Sequence, residues 1–222
     1  MNLQTFSSNS SQVEAIFDSI VLKIKELLKN KQNILIALSG GRSPIPLLEK
    51  LSLAELDFSK ITFTLVDERI VAPDNKDSNE HLLKTYLLKN NAKNAKLLGL
   101  ADTNLNNDKM LTNANNKISH IDLAILGMGE DGHTASIFPC SKELNKALHD
   151  DSNYVITNPV TAPHSRISLT LNALINIPVL ILSINGDAKL KVLKEAYKGD
   201  NLNYPISYVL SRRPDTQIFW YE

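Results

Sequence analysis

With 222 residues and 43% hydrophobic content, the chain is long enough for one well-buried core and reads as a single domain over residues 1–222. Lys plus Arg equal Asp plus Glu at 24 each, so no global field draws the chain to nucleic acid or an acidic membrane, and an anion must be captured by local groups. Cys140 stands alone without an intrachain disulfide partner, no apolar run approaches the roughly 18 residues of a membrane span, and no basic-then-apolar leader opens the chain, so a cytoplasmic protein is expected.

Ser11-Gln12-Val13-Glu14 fits a capping box, and Val13, Ile16, Phe17, Ile20, Ile24, Leu27 and Leu28 follow at helical spacing, which predicts an amphipathic first helix through Lys29. Ile34-Leu35-Ile36-Ala37-Leu38 is a continuous apolar run suited to a central parallel strand covered on both faces. Ser39-Gly40-Gly41 ends it, after which Ser43 can cap a helix with Pro44 at its first position. Ile61 to Val66 reads as a second strand running into a charged loop, Asp67-Glu68-Arg69, and Asp77 or Ser78 caps the helix carrying Leu82, Leu83, Tyr86 and Leu87. The Asn- and Lys-rich stretch from Asn90 to Lys117 is solvated, with a helix near Leu105 to Asn116. Strands are expected at Ile121 to Leu126, Tyr154 to Thr157, Arg166 to Thr170 and Val179 to Ile184, then a helix from Asp187 to Tyr197 and a last edge strand at Ile218 to Tyr221. This alternation implies an α/β fold, a doubly wound, mostly parallel Rossmann-like sheet with helices on both faces.

Gly127-Met128-Gly129-Glu130-Asp131-Gly132-His133-Thr134-Ala135-Ser136-Ile137-Phe138-Pro139 puts a histidine at the C-terminal mouth of a strand, where open α/β sheets bind ligands. Asp131, two positions before His133, can orient the imidazole, so the pair reads as a general base and its partner. Ser39-Gly40-Gly41-Arg42-Ser43-Pro44 joins a strand to a helix and can cradle a phosphate on backbone N–H groups. It matches neither the P-loop nor the dinucleotide fingerprint, so neither ATP nor NAD is expected. Asp67 and Arg69 lie at the next strand's end, where Arg69 can fork onto phosphate or sugar oxygens. Arg166 and Lys189 are two further candidate cations. The five histidines are too scattered for a zinc set, and the GxSxG nucleophile motif is absent.

Taken together, Ser39 to Pro44, Asp67-Glu68-Arg69 with Ser78-Asn79, Leu126 to Pro139, Arg166 with Ser168-Leu169-Thr170, and Lys189 after Gly186 resemble the motifs of the 6-phosphogluconolactonases, in that family's order. The larger group also holds glucosamine-6-phosphate deaminases. The resemblance implies a Rossmann-like fold, no metal or cofactor, and hydrolysis of 6-phospho-D-glucono-1,5-lactone to 6-phosphogluconate in the oxidative pentose phosphate pathway. It makes His133 the base that activates water. Gly40, Gly41 and Ser43 would cradle the 6-phosphate, aided by Arg166 or Lys189, with Arg69 near the phosphate or the lactone. Arg42 stands where many relatives carry a small residue and either reaches the phosphate or points to solvent. Backbone amides of the His133 loop, at Gly127, Gly129 and Gly132, are the expected oxyanion donors. A monomer or weak homodimer is expected.

Two alternatives are weaker. The deaminases continue their histidine loop with Ala-Phe-Asn-Glu-Pro, whereas Ala135-Ser136-Ile137-Phe138-Pro139 has no carboxylate. A non-catalytic sugar-phosphate sensor would need a DNA-binding module, and only one helix precedes the strand at Ile34.

Overall fold

The computed structural model describes residues 1–222. In chain order the strands are β1 (Asn2–Phe6), β2 (Ile34–Leu38), β3 (Ile61–Leu65), β4 (Asp67–Arg69), β5 (Lys96–Leu97), β6 (Leu123–Leu126), β7 (Tyr154–Thr157), β8 (Arg166–Leu169), β9 (Val179–Asn185) and β10 (Gln217–Tyr221). The helices are α1 (Asn9–Asn30), α2 (Ile45–Ser52), α3 (Asn79–Tyr86), α4 (Asn107–Lys117), α5 (Leu144–His149), α6 (Leu171–Ile175), α7 (Asp187–Ala196) and α8 (Ile206–Arg212).

Seven strands form one parallel sheet in the order β1-β10-β9-β6-β2-β3-β5. The continuous apolar runs have the outcome expected of strands covered on both faces. Every residue of β6 is buried, and Ala37, Leu65, Ile181 and Leu182 are fully enclosed. The α1 stripe of Val13, Ile16, Ile20 and Ile24 packs into the same core. The α/β class and the parallel sheet read from the sequence both hold. No helix is long and apolar enough to cross a membrane.

Several local expectations are corrected. The cap of α1 is Ser8, whose extended backbone lets Oγ accept the Ser11 N–H at 3.2 Å, so the helix starts a turn before the Ser11 box. Ser43 does not cap α2: Pro44 occupies the N-cap position in helical conformation, and no side chain bonds the exposed amides. The strand at Ile218 is not an edge, because β10 lies between β9 and the unanticipated β1. Between the cap alternatives for α3, Ser78 is used and accepts the His81 N–H.

The charged segment Asp67-Glu68-Arg69, expected as a loop, is a strand. It opens a second, antiparallel sheet of three strands in the order β4-β8-β7. This sheet hangs from the C-terminal end of β3 through Val66, whose N–H donates to Leu38 and whose carbonyl accepts from Leu169. Its register sets Arg69 directly opposite Arg166.

Glu68 anchors this junction. Its carboxylate is 1% exposed and accepts from the N–H groups of Arg69 (2.7 Å), Asn79 (2.8 Å) and Glu80 (2.7 Å) and from Ser78 Oγ (2.9 Å). Burial pushes its carboxyl above the ordinary value, and these four donors oppose the rise. Removing the acceptor leaves buried donors unmatched, so Glu68→Ala is expected to lower stability by about 3 kcal/mol in denaturant unfolding. A loss below about 1 kcal/mol would mean that β4 and α3 are joined by other means.

Candidate active site

The chain leaves β2 for β3 on one side and later returns to place β6 on the other. Loops after adjacent strands that diverge in this way leave a crevice at their carboxyl ends. Here Ser39 spans it: its N–H and Oγ both donate to Ile125, and its Oγ accepts from the Gly127 N–H at 3.1 Å. The cleft above has a volume of about 290 Å³.

From the β2 side come Gly40, Gly41 and Ser43. The backbone N–H groups of Gly40 through Ser43 find no acceptor within the chain. Gly41 takes φ +91°, and a Cβ on Gly40 would fall 1.8 Å from Asn79 Oδ1, so both glycines are required by geometry. The Arg42 side chain is exposed and outside the cleft wall, the solvent-facing of its two alternatives, so only its backbone N–H stays with the anion site.

From the β6 side comes His133. Its Nδ1 lies 2.5 Å from Asp131 Oδ1, and the Asp131 carboxylate also accepts the His133 N–H at 3.2 Å. Burial acts to raise the Asp131 carboxyl, but the hydrogen bond and charge of His133 outweigh it and hold the group below the ordinary carboxylate value. An ionised Asp131 makes Nδ1 the donor and leaves Nε2 as the basic nitrogen. The imidazole stacks on Phe138 with centroids 4.0 Å apart. Ala135, a non-glycine residue at φ +47°, lies in the turn closed by the Thr134–Ile137 bridge. Beyond it, Ser136 is bonded to Asp67 and Phe138 lies against His133.

The glycines of this loop are not the donors expected. Gly127 N–H is committed to Ser39 Oγ, Gly129 N–H to the His133 carbonyl at 2.9 Å, and Gly132 N–H to the Gly129 carbonyl at 3.1 Å. Gly132 lies outside the cleft wall, at φ +72°, packed against Tyr204. Gly129 instead supplies space, since a Cβ there would lie 2.3 Å from His133 Nδ1 and 2.4 Å from Asp131 Oδ1.

From the second sheet come Asp67, Arg69 and Arg166. Opposed like charges on neighbouring strands repel, and each arginine is held by its own partners. Arg69 Nη1 donates to the Asp77 carbonyl and to Asn79 Oδ1, both at 2.8 Å. Arg166 Nη1 lies 3.6 Å from Asp67 Oδ2, and its guanidinium sits 5.2 Å from the Phe138 centroid. Asp67 Oδ2 also accepts from Ser136 Oγ at 2.5 Å. Burial pushes the Arg166 guanidinium down and the Asp67 carboxylate opposes this. Both arginine Nε atoms are buried without partners.

Lys189, in the first turn of α7, completes the positive lining; burial pushes its ammonium down and Glu130 opposes this. The structure thus gathers Gly40, Gly41, Ser43, Asp67, Arg69, Gly127, Gly129, His133, Arg166 and Lys189 around one cleft, with Asp131 behind His133. Asn79, Phe138, Ser136 and Gln12 belong to the same assembly but were not picked out as site residues. For Gln12 a signal existed: a polar residue on the i, i+4 row of Ile16, Ile20 and Ile24.

The parallel α/β sheet thus carries a cation-lined crevice with a histidine–aspartate pair, and the family model for glucosamine-6-phosphate isomerases/6-phosphogluconolactonase matches residues 7–220. The chain belongs to this family. It is 41% identical over 218 residues to the 6-phosphogluconolactonase of Helicobacter pylori strain J99, with 94% of each chain covered. It is 36% identical over 215 residues to that of Neisseria meningitidis strain Z2491, covering 94% of this chain and 93% of the other. The crystal structure of a 6-phosphogluconolactonase from Shewanella baltica OS155 superposes with a TM-score of 0.94 at 36% identity, over 99% of this chain and 97% of that one.

Because Gly129 leaves room for the His133–Asp131 pair, Gly129→Ala is expected to displace the imidazole and lower turnover by about 100-fold, since misplacement by about 1 Å costs that much. A melting temperature within a few degrees of the parent would accompany it. Unaltered turnover would show that the pair needs no such space.

Proposed function

We propose that this chain hydrolyses 6-phospho-D-glucono-1,5-lactone to 6-phosphogluconate in the oxidative pentose phosphate pathway. The observation that carries the reading is the Asp131 carboxyl 2.5 Å from His133 Nδ1, an arrangement that leaves Nε2 free to act as a base in a cleft lined by three cations. In this reading Nε2 takes a proton from water as the water oxygen attacks the lactone carbonyl carbon. The tetrahedral alkoxide collapses by breaking the bond between that carbon and the ring oxygen. The imidazolium returns the proton to the departing ring oxygen, and the new carboxylic acid ionises.

The unpaired N–H groups of Gly40, Gly41, Arg42 and Ser43 hold the phosphate together with the Lys189 ammonium. With the loop glycines committed elsewhere, the side-chain donor on the base's side of the cleft is Arg166, which shares the Phe138 ring with His133. Arg166 and its strand partner Arg69 stabilise the alkoxide and then the product carboxylate. Asp67 holds Arg166 rather than touching phosphate. One domain carries all of these groups, and the unpaired Cys140 supports a reducing, cytoplasmic setting.

The deaminase reading loses support because positions 135–139 supply no second carboxylate to the histidine. Ile137 and Phe138 are buried apolar side chains there.

The test is hydrolysis of freshly generated lactone above its spontaneous rate, with glucosamine-6-phosphate deamination assayed in parallel. Lactonase activity without deamination is expected, and the reverse would overturn the reading. His133→Ala is expected to lower kcat by ~10²–10⁴-fold. Lys189→Ala is expected to raise KM with kcat nearly constant, as for binding shared by ground and transition states. A lysine variant that lowers kcat at unchanged KM would put the phosphate elsewhere.

A further inference from the structure

The cleft wall formed by α1 and β9 contains an acceptor with no donor. Gln12 is 3% exposed, and its Nε2 donates to the carbonyls of Ile184 and Phe219, each at 2.8 Å. Only the amide nitrogen can satisfy two carbonyl oxygens, so the amide's orientation is determined by chemistry rather than by choice. These bonds tie α1 to β9 and β10 and leave Gln12 little freedom to turn. Oε1, the other end of the amide, receives no hydrogen bond from the chain, and Gln12 lines the cleft. A rigidly held amide oxygen on a buried side chain favours an occupant that brings a donor.

The other polar side chains of this wall, Asn9, Ser183 and Asn185, can each act as donor or acceptor. Gln12 cannot, because both amide hydrogens are already used. On a sugar-phosphate lactone at neutral pH, the ionised phosphate, the lactone carbonyl and the ring oxygen only accept. The ring hydroxyls at C2, C3 and C4 are the donors. We propose that Gln12 is a specificity-determining residue whose Oε1 accepts a hydrogen bond from one of these hydroxyls. This inference rests on the lactonase reading and adds to it a residue that distinguishes one hydroxylated ring from another. An analogue lacking the matching hydroxyl leaves Oε1 unpaired, and sites built to bond a hydroxyl reject such analogues strongly.

The experiment compares kcat/KM for the parent lactone with the three monodeoxy lactones, each generated enzymatically from the corresponding deoxy sugar phosphate. For the wild-type protein, one analogue is expected to lose about 10- to 100-fold relative to the parent. In Gln12→Met, which keeps the length without the acceptor, that ratio is expected to fall towards one. Gln12→Asn, which retains an amide but shortens its reach, is expected to lose the same discrimination and serves if the methionine variant does not fold. A wild-type protein that turns over all three analogues as it does the parent overturns the proposal without any variant. A folded variant that keeps the wild-type ratio also overturns it. Failure of the wild-type protein to turn over the parent lactone refutes the lactonase reading instead, so the two failures are distinguishable.

Discussion

Strands β2 and β6 lie side by side in register, with Ala37 opposite Ala124, yet the chain departs from them towards opposite edges of the sheet. Their following loops therefore diverge, and the space between them is the one place on this sheet where two strand-end loops can face a common ligand. Everything chemical depends on that divergence. The β2 loop brings unpaired amides, the β6 loop brings a histidine, and Ser39 holds the two strand ends together through Ile125 and Gly127. The flanking strand β3 leads on to Arg69, which β8 pairs with Arg166, and β9 leads on to Lys189.

Concentrating three cations in one half-buried cleft is electrostatically unfavourable, and the fold compensates each differently. Arg166 is matched by Asp67, Arg69 is held by neutral oxygens of Asp77 and Asn79, and Lys189 is opposed by Glu130. Glu68, although adjacent to these groups in sequence, accepts three hydrogen bonds at the start of α3 and a fourth from the Arg69 N–H in β4. Two neighbouring acidic residues thus divide between the guanidinium and the helix N-terminus. An anion entering the cleft relieves repulsion that these partners offset only in part, which links substrate charge to the order of the site.

Much of the architecture was legible in the sequence because its signals are local. Apolar runs such as Ile34 to Leu38 are unambiguous, as is the helical spacing of Ile16, Ile20 and Ile24, and the His133 loop advertises itself through glycines needed for close approach. What was not legible depends on pairing between distant segments. Nothing local marks Asp67 to Arg69 as a strand, because its partner β8 lies far along the chain and the Arg69–Arg166 register exists only once both are in place. β1 is similarly defined by β10. The Gly127, Gly129 and Gly132 amides looked like available donors because sequence cannot show that a turn consumes its own N–H groups. Gln12 reads as a break in an apolar stripe until the carbonyls of Ile184 and Phe219 come to face it.

The central claim is that the cleft is polarised, with phosphate on the Gly40–Ser43 amides and Lys189 and the reacting carbon beside His133 and Arg166. A crystal structure with 6-phosphogluconate bound tests it most directly. The account predicts phosphate oxygens within hydrogen-bonding distance of those amides and of Lys189 Nζ, and the C1 carboxylate next to His133 Nε2 and the Arg166 guanidinium. A product bound in the reverse sense, with its phosphate on the arginine pair and its carboxylate at Gly40 to Ser43, would contradict it.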